Sequence, residues 1–328
     1  MTHITRWILR CVVPALLAGR LSAQEPLLGG PQVGVIVDGD HLRVVTGVAG
    51  AALAGVPMTL AGGLGDIVVS PSQKYVIGTG ADGRLVLHAS QLNRPLTLST
   101  AGRIFLSRTG SVMAVVSNDS SQLQVWSRVP ESPALAWQST LPADSKISSL
   151  AVSDDGMVVA AVLSSGAQDT VWRVTSESQS AMMVADHVAG IAFAANSTDA
   201  IIADAGQRRV LMIKDAAGKA VQVVLANAPA EAGTPVGVVT SADGSSIYVA
   251  TTDPGGVMTL GGDAASSFVP CACSPSGISA IGTAAFQLTQ APDPVIWLFQ
   301  DTRAGARIFF VSQSFIPKRA NTLRRIER

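Results

Sequence analysis

The chain has 328 residues, 48% of them apolar and only 14% charged, with 23 basic and 23 acidic side chains in balance. So much apolar content with so little charge excludes a disordered chain and predicts a large dry core. The balance also leaves no bulk electrostatic footprint for nucleic acid.

The N-terminal residues read as a segment of their own. Arg6 and Arg10 precede the apolar run Cys11–Ala18, and Leu21-Ser22-Ala23 has the small-residue end of a cleavage site. Residues 1–23 are therefore expected to be a secretory signal peptide. The run is well short of the ~20 residues that span a bilayer, so no membrane span is expected. Removing residues 1–23 takes away Arg6, Arg10 and Arg20 and no acid, which leaves a net charge of −3. Export to the periplasm or beyond the cell follows. Residues 24–316 read as one domain. Residues 317–328, PKRANTLRRIER, form a basic tail, either docked on an anionic envelope surface or solvated as a free terminus.

Within the domain, Val33–Asp38 and His41–Thr46 flank Gly39-Asp40, a tight hairpin signal. A longer pattern then recurs: an apolar strand, a polar turn, a second apolar strand, another turn and a mixed third strand. Its turns are anchored at Ser70, Ser107, Ser153, Ala195, Ser241 and, weakly, Leu288, so the mean period is about 44 residues. The clearest copy is Ile147–Thr175, where Asp154-Asp155-Gly156 separates ISSLAVS from the apolar run Met157–Leu163. The second strands, such as Val112–Val116, are continuous aliphatic runs, as in strands covered on both faces. The third strands, such as Gln122–Val129 and Arg209–Lys214, are mixed and approach water. Ala216–Ala232 is Ala-rich, but Val221–Val224 and Pro229 make it an outer strand plus a loop. A period of this length with several strands per unit predicts an all-β chain folded as a β-propeller. Strand counting favours six blades, with seven as the alternative. The N-terminal hairpin is expected to close the fold by pairing one of its strands with the C-terminal blade, since free sheet edges must be hidden.

The Ser-x-Asp-Gly turns at Ser153–Gly156 and Ser241–Gly244, the apolar strand behind each, and Trp126 and Trp172 in third strands resemble secreted bacterial β-propellers with YVTN-like or WD40-like repeats. The resemblance covers about residues 33–315. The YVTN tetrapeptide is absent, and Tyr248-Val249-Ala250-Thr251 is its nearest match. The resemblance implies a fold and a compartment. It implies no reaction, because propellers host unrelated functions. The expected function is a non-catalytic, monomeric binding or scaffolding module for a protein, peptide or glycan, without cofactor. The alternative is a propeller enzyme of lactonase or polysaccharide-lyase type, with its site at the channel mouth.

Catalytic signatures are weak. Gly78-Thr79-Gly80-Ala81-Asp82-Gly83 fits a dinucleotide fingerprint, yet Arg84–His88 after it reads as a strand, where the chemistry needs a helix N-terminus. His41, His88 and His187 are far apart and show no metal-ligand spacing. Cys271 and Cys273, in Pro-Cys-Ala-Cys-Ser-Pro, are a disulfide candidate in an exported chain. The expected ligand surface is the set of turns between second and third strands, which carry Asp82, Asn118, Asp119, Asp169, Asp204, Asp253 and Asp301. In propellers such turns share one face. Converging carboxylates there would hold a cation or a sugar, whereas Asp and Asn also serve turns simply by capping their own backbone.

Overall fold

A computed structural model describes residues 31–313, apart from 61, 90–94, 120, 143–145, 167, 229, 262–265, 289–294 and 304. The expected signal peptide and basic tail lie outside the described residues. The chain begins with β1 (Gln32–Asp38), β2 (His41–Thr46), β3 (Leu53–Ala54) and β4 (Met58–Thr59). Five four-stranded antiparallel sheets follow in chain order. The first holds β5 (Gly65–Val69), β6 (Tyr75–Thr79), β7 (Leu85–Ala89) and β8 (Leu96–Thr97). The second holds β9 (Arg103–Leu106), β10 (Val112–Val116), β11 (Gln122–Ser127) and β12 (Ala134–Thr140). The third holds β13 (Lys146–Val152), β14 (Val159–Ser165), β15 (Gln168–Val174) and β16 (Gln179–Ala185). The fourth holds β17 (Val188–Phe193), β18 (Ala200–Asp204), β19 (Arg209–Lys214) and β20 (Val221–Asn227). The fifth holds β21 (Thr234–Thr240), β22 (Ser246–Thr252), β23 (Gly256–Gly261) and β24 (Ser266–Pro270). The final strands are β25 (Ser279–Ala280), β26 (Ala285–Gln287), β27 (Ile296–Thr302) and β28 (Gly305–Gln313), which join β1–β4 in one eight-stranded sheet. Among the described residues the one helical element is a single 3-10 turn at Ala230–Ala232, so no helix is long and apolar enough to cross a membrane.

The residues explain the order of strands within each sheet. The second strands β10 and β18 are buried at every position, and β14 over its first five, so they must lie between neighbouring sheets. The fourth strands β12, β16 and β20 alternate or face water. The first strands run where space is least. A Cβ on Gly190 would come within 3.1 Å of Gly237, and one on Gly237 within 3.1 Å of Ile278. Glycine is needed where inner backbones approach this closely.

The serine turns have a common construction. Ser70, Ser107, Ser153 and Ser241 are buried, and the Oγ of each accepts the backbone N–H five residues on, at 3.0–3.3 Å. Ser153 and Ser241 also donate to Asp155 and Asp243 at 2.6 Å. Gly110, Gly156 and Gly244 close these turns with φ near +74°. The Ser-x-Asp-Gly signature is thus a device for satisfying turn backbone that the core has cut off from water.

Apolar clusters fill the space between successive sheets. Ile77, Leu85 and Leu87 pack with Met113 and Val115. Val112 and Leu123 pack with Leu150 and Val159, and Val162 and Val171 with Ile202 and Leu211. Ile201 and Val210 pack with Val249 and Met258, and Tyr248 and Val257 with Phe286 and Phe299. Leu42 packs with Leu64 and Ile67, and Ile36 and Val45 with Ile281, Leu298 and Val311. Four-stranded antiparallel sheets that follow one another in the chain and pack face to face are the architecture of a β-propeller.

At the chain ends an N-terminal strand does pair with a C-terminal one, but it is not a strand of the first hairpin. β1 pairs with β2, not with a C-terminal strand. The link is made by β3, which pairs antiparallel with β2 and parallel with the end of β28, Ser312 opposite Leu53. The last repeat is also shifted. Ile281, not Leu288, holds the place of the serines, since its N–H bonds the Ala285 carbonyl across the turn from β25 to β26. Leu288 begins the next turn, on the other face. The turn at Gly282-Thr283 lacks the Ser-x-Asp-Gly signature, which is why the shift was invisible in the repeat. Ala216–Ala232 is an outer strand, β20, and a loop with one 3-10 turn.

Candidate functional site

Antiparallel alternation sorts the turns onto two faces. Turns after first strands lie on one face, and turns after second strands lie on the other with the links between sheets.

On the first-turn face, the turn after β9 carries Arg108 where the next sheet has Asp154 and a later one has Ala242. Arg108 Nε and Nη2 donate to Asp154 Oδ2 at 3.1 and 3.0 Å. Thr109 gives its N–H and its hydroxyl to Asp154 Oδ1, both at 2.9 Å. Arg108 Nη1 donates to the Ala242 carbonyl, 134 residues away in the chain. One guanidinium therefore ties the turns of the second, third and fifth four-stranded sheets. Its side chain is 15% exposed and that of Asp154 12%, so the pair is largely shielded and its charge locally cancelled. Beside it lies a half-open cavity of about 220 Å³, lined by Pro71, Ser72, Arg108, Ala242, Thr283 and Phe286 among others. Four sheets contribute to it. Around it Tyr75 donates to the Gly110 carbonyl at 2.6 Å and Tyr248 to Asp301 at 2.7 Å. Burial, first, pushes both phenols well above their usual range, and the Asp301 carboxylate adds to the shift of Tyr248.

The acidic residues expected to converge do not share one site. Asp82 is exposed and accepts the Arg84 N–H in its own turn. Asn118 is exposed beside Asp119, whose carboxyl is pulled down to about 2 by the Ser117 hydroxyl and the Ser121 N–H. Asp169 and Asp204 are buried strand-end residues. Asp204 accepts Arg209 Nε and the Gln207 N–H, both at 3.0 Å. Asp253 lies in the exposed turn after β22, with φ of +54°. Asp301 is on the opposite face, because the last repeat is shifted and Asp301 enters the turn from β27 to β28. Among the described residues no group of three or more His, Cys, Asp or Glu side chains is arranged to hold a metal ion.

One pairing on the second-turn face was not visible in the sequence. Asp169 accepts the Ser164 hydroxyl at 2.5 Å and the Val188 N–H at 2.7 Å, and His187 Nδ1 stands 3.4 Å from the same carboxylate. His187 is 68% exposed, so a buried acid backs a ring that faces water. His88 lies apart on β7 with its proton affinity lowered by burial. His41 is near Thr59 and Asp40 on the first hairpin. Cys271 and Cys273 are joined by a disulfide, and the Cys271 N–H bonds the Gly255 carbonyl of the adjoining turn.

No family model matches the chain, and no curated protein does. Solved structures do resemble it. A functionally unknown protein from Desulfotomaculum acetoxidans superposes with a TM-score of 0.53 at 15% identity, over 86% of this chain and 99% of that one. A protein of Bacteroides fragilis, provisionally described as a 6-phosphogluconolactonase, gives a TM-score of 0.53 at 12% identity, over 85% and 92% of the two chains. The WD40 repeats of RRP9 give 0.49 at 15% identity, over 75% and 78%. At such identities the likeness to the first two reaches the fold and stops there.

Proposed function

We propose that this chain is an exported, non-catalytic binding module, and that its partner inserts a small group into the cavity beside Arg108. The observation that carries this reading is the way four sheets converge their first turns on one cup at the axis. Polar groups at the cup are largely committed to each other, as suits a rigid receptor whose shape is set before binding. The volume is below that of a usual small-molecule site, so one side chain or one sugar ring fits, with the rest of the partner lying across the turns. A peptide, a protein loop and a glycan all meet that description. We read the ring as seven-bladed, the alternative to six, a reading supported by the apolar clusters that follow one another between successive sheets and by the cluster that packs the final strands on the first. Export rests on the arginine-flanked apolar run before Gln24.

The test is capture of envelope components on the immobilised protein and on its Ala242→Trp variant, followed by reconstitution with the purified component. Ala242 is exposed, so the bulky ring fills the cup without entering the core. A component bound by the parent and lost on the variant is expected. Identical capture by both would sink the reading. N-terminal sequencing of secreted material is expected to begin near Gln24.

One observation favours a second reading. A buried carboxylate behind an exposed imidazole is the arrangement that orients a general base, and Asp169 and His187 have it. A lactonase-type activity would then reside on the second-turn face. Lactone turnover that disappears in His187→Gln would favour it over the binding module.

A further inference from the structure

Deepening the binding reading above, and resting on it, we infer that the axial cup accepts an acetamido-bearing sugar ring, of the N-acetylhexosamine class.

The donor inventory is the first step. Of the five N–H groups on the Arg108 guanidinium, three are engaged by Asp154 and the Ala242 carbonyl. The others can serve a ligand acceptor. Of the hydroxyls beside it, Thr240 donates to the Phe193 carbonyl at 3.2 Å and Thr109 to Asp154, while the Thr283 hydroxyl at the rim can serve a ligand as well. Ser72 shares a 3.3 Å contact with Ser70. The cup therefore offers donors to an uncharged acceptor. It does not present a net positive field to an anion, because Asp154 cancels Arg108 at close range.

The walls are the second step. Pro71 and Ala280 give an apolar surface within the same cavity, backed by the buried Phe286. A ligand group matched to the two free N–H groups of Arg108, which one carbonyl oxygen can accept, and to an apolar wall has a carbonyl and a methyl side by side, as in an acetamide. A plain hexose lacks the methyl and would press hydroxyls on Pro71 and Ala280 beyond what Arg108 and Thr283 can bond, at a desolvation cost. A de-acetylated amino sugar would bring an ammonium against the guanidinium.

Size and opening are the third step. A volume of about 220 Å³ corresponds to roughly seven waters at ~30 Å³ each, room for one substituted ring and not for a chain. The half-open mouth leaves the ring's N–H and remaining hydroxyls at the water side and lets a glycan continue outward. An extended peptide would need a groove, whereas this cavity is a cup.

The experiment is calorimetric titration of the full protein with three defined trisaccharides: the N-acetylglucosamine trimer, the glucosamine trimer and the glucose trimer. The acetylated trimer is expected to bind at least tenfold more tightly than either of the others. Ala242→Trp is expected to weaken that binding at least tenfold while leaving the thermal unfolding midpoint in place. Equal affinity for all three, or no binding of any, would overturn the acetamido assignment. If none binds but an envelope protein is captured and then lost in Ala242→Trp, the sugar assignment fails and the binding reading stands. If Ala242→Trp alters no interaction at all, both fail.

Discussion

The two faces of the propeller use the same chemistry over very different distances along the chain. On the first-turn face, Arg108 reaches Asp154, 46 residues on, and Ala242, 134 residues on. On the second-turn face, Arg209 reaches Asp204, five residues back, inside one turn. Both pairs place a guanidinium on a shielded carboxylate. One ties separate sheets together, and the other shapes a single hairpin. A receptor surface needs the first kind, since only contacts between sheets can hold turns from four sheets in a fixed arrangement.

Substitution of the carboxylates breaks the comparison most directly. Asp154→Ala is expected to cost about 3 kcal/mol, because Arg108 stays shielded without a counter-charge and Thr109 loses its acceptor. Asp204→Ala is expected to cost about 1–2 kcal/mol. Asp204 itself is fully buried, but the Arg209 side chain is 28% exposed and can turn to water, leaving the Gln207 N–H as the main orphan. Urea unfolding of both variants measures the difference. Equal losses would show that the long-range pair has no special role. Replacing Arg108 and Asp154 together by Met and Leu is expected to recover most of the stability while abolishing the cup's donor.

Much of this architecture can be read before the structure. Strand order, the buried second strands and the serine turns all follow from alternation and from a repeat of about 44 residues. The last repeat escaped because Ile281-Gly282-Thr283 does not carry the serine signature, and Leu288 offered a false anchor seven residues later. That single slip moved Asp301 to the wrong face. The remaining acids were correctly placed in or beside turns after second strands. That they do not share one site is not legible in the sequence, because turn chemistry selects Asp locally and says nothing about where it points. Arg108 was the hardest to see. Its one signal is a basic residue in Ser107-Arg108-Thr109-Gly110 where the neighbouring turn reads Ser-Asp-Asp-Gly, and its partners lie too far along the chain for any local pattern.

The cysteine loop sharpens the comparison on the second-turn face. Its ring spans only Cys271–Cys273, and it packs against the turn of its own sheet through the Gly255 carbonyl. Closing so short a loop removes little chain entropy from the unfolded state. Mild reduction and alkylation are expected to shift stability by about 1 kcal/mol or less. Mass analysis of the untreated protein is expected to find the peptide two hydrogens lighter than its reduced form. Cys273 packs against the cluster between the fifth sheet and the final strands, so a loss comparable with that of Asp154→Ala would mean that the closed ring is needed to hold that contact.

Acid titration probes the smallest difference, since the same exposed motif sits on both faces. Asp119 on the second-turn face and Asp243 on the first-turn face are each pulled down to about 2, in both cases chiefly by the serine hydroxyl two residues before. The unfolded value for both is 3.8. A carboxyl with a depressed folded value stabilises the fold above its unfolded value and loses that contribution as pH falls through the folded one. Stability is therefore expected to decline between about pH 4 and pH 2. Both groups are fully exposed, so water and salt screen the effect and each share is small. Asp119→Asn and Asp243→Asn are expected to flatten the pH dependence of the unfolding midpoint in that window by equal amounts, because each removes one local turn and no contact between sheets. A larger flattening for Asp243→Asn would mean that its turn communicates with the neighbouring Ala242 carbonyl and, through it, with Arg108.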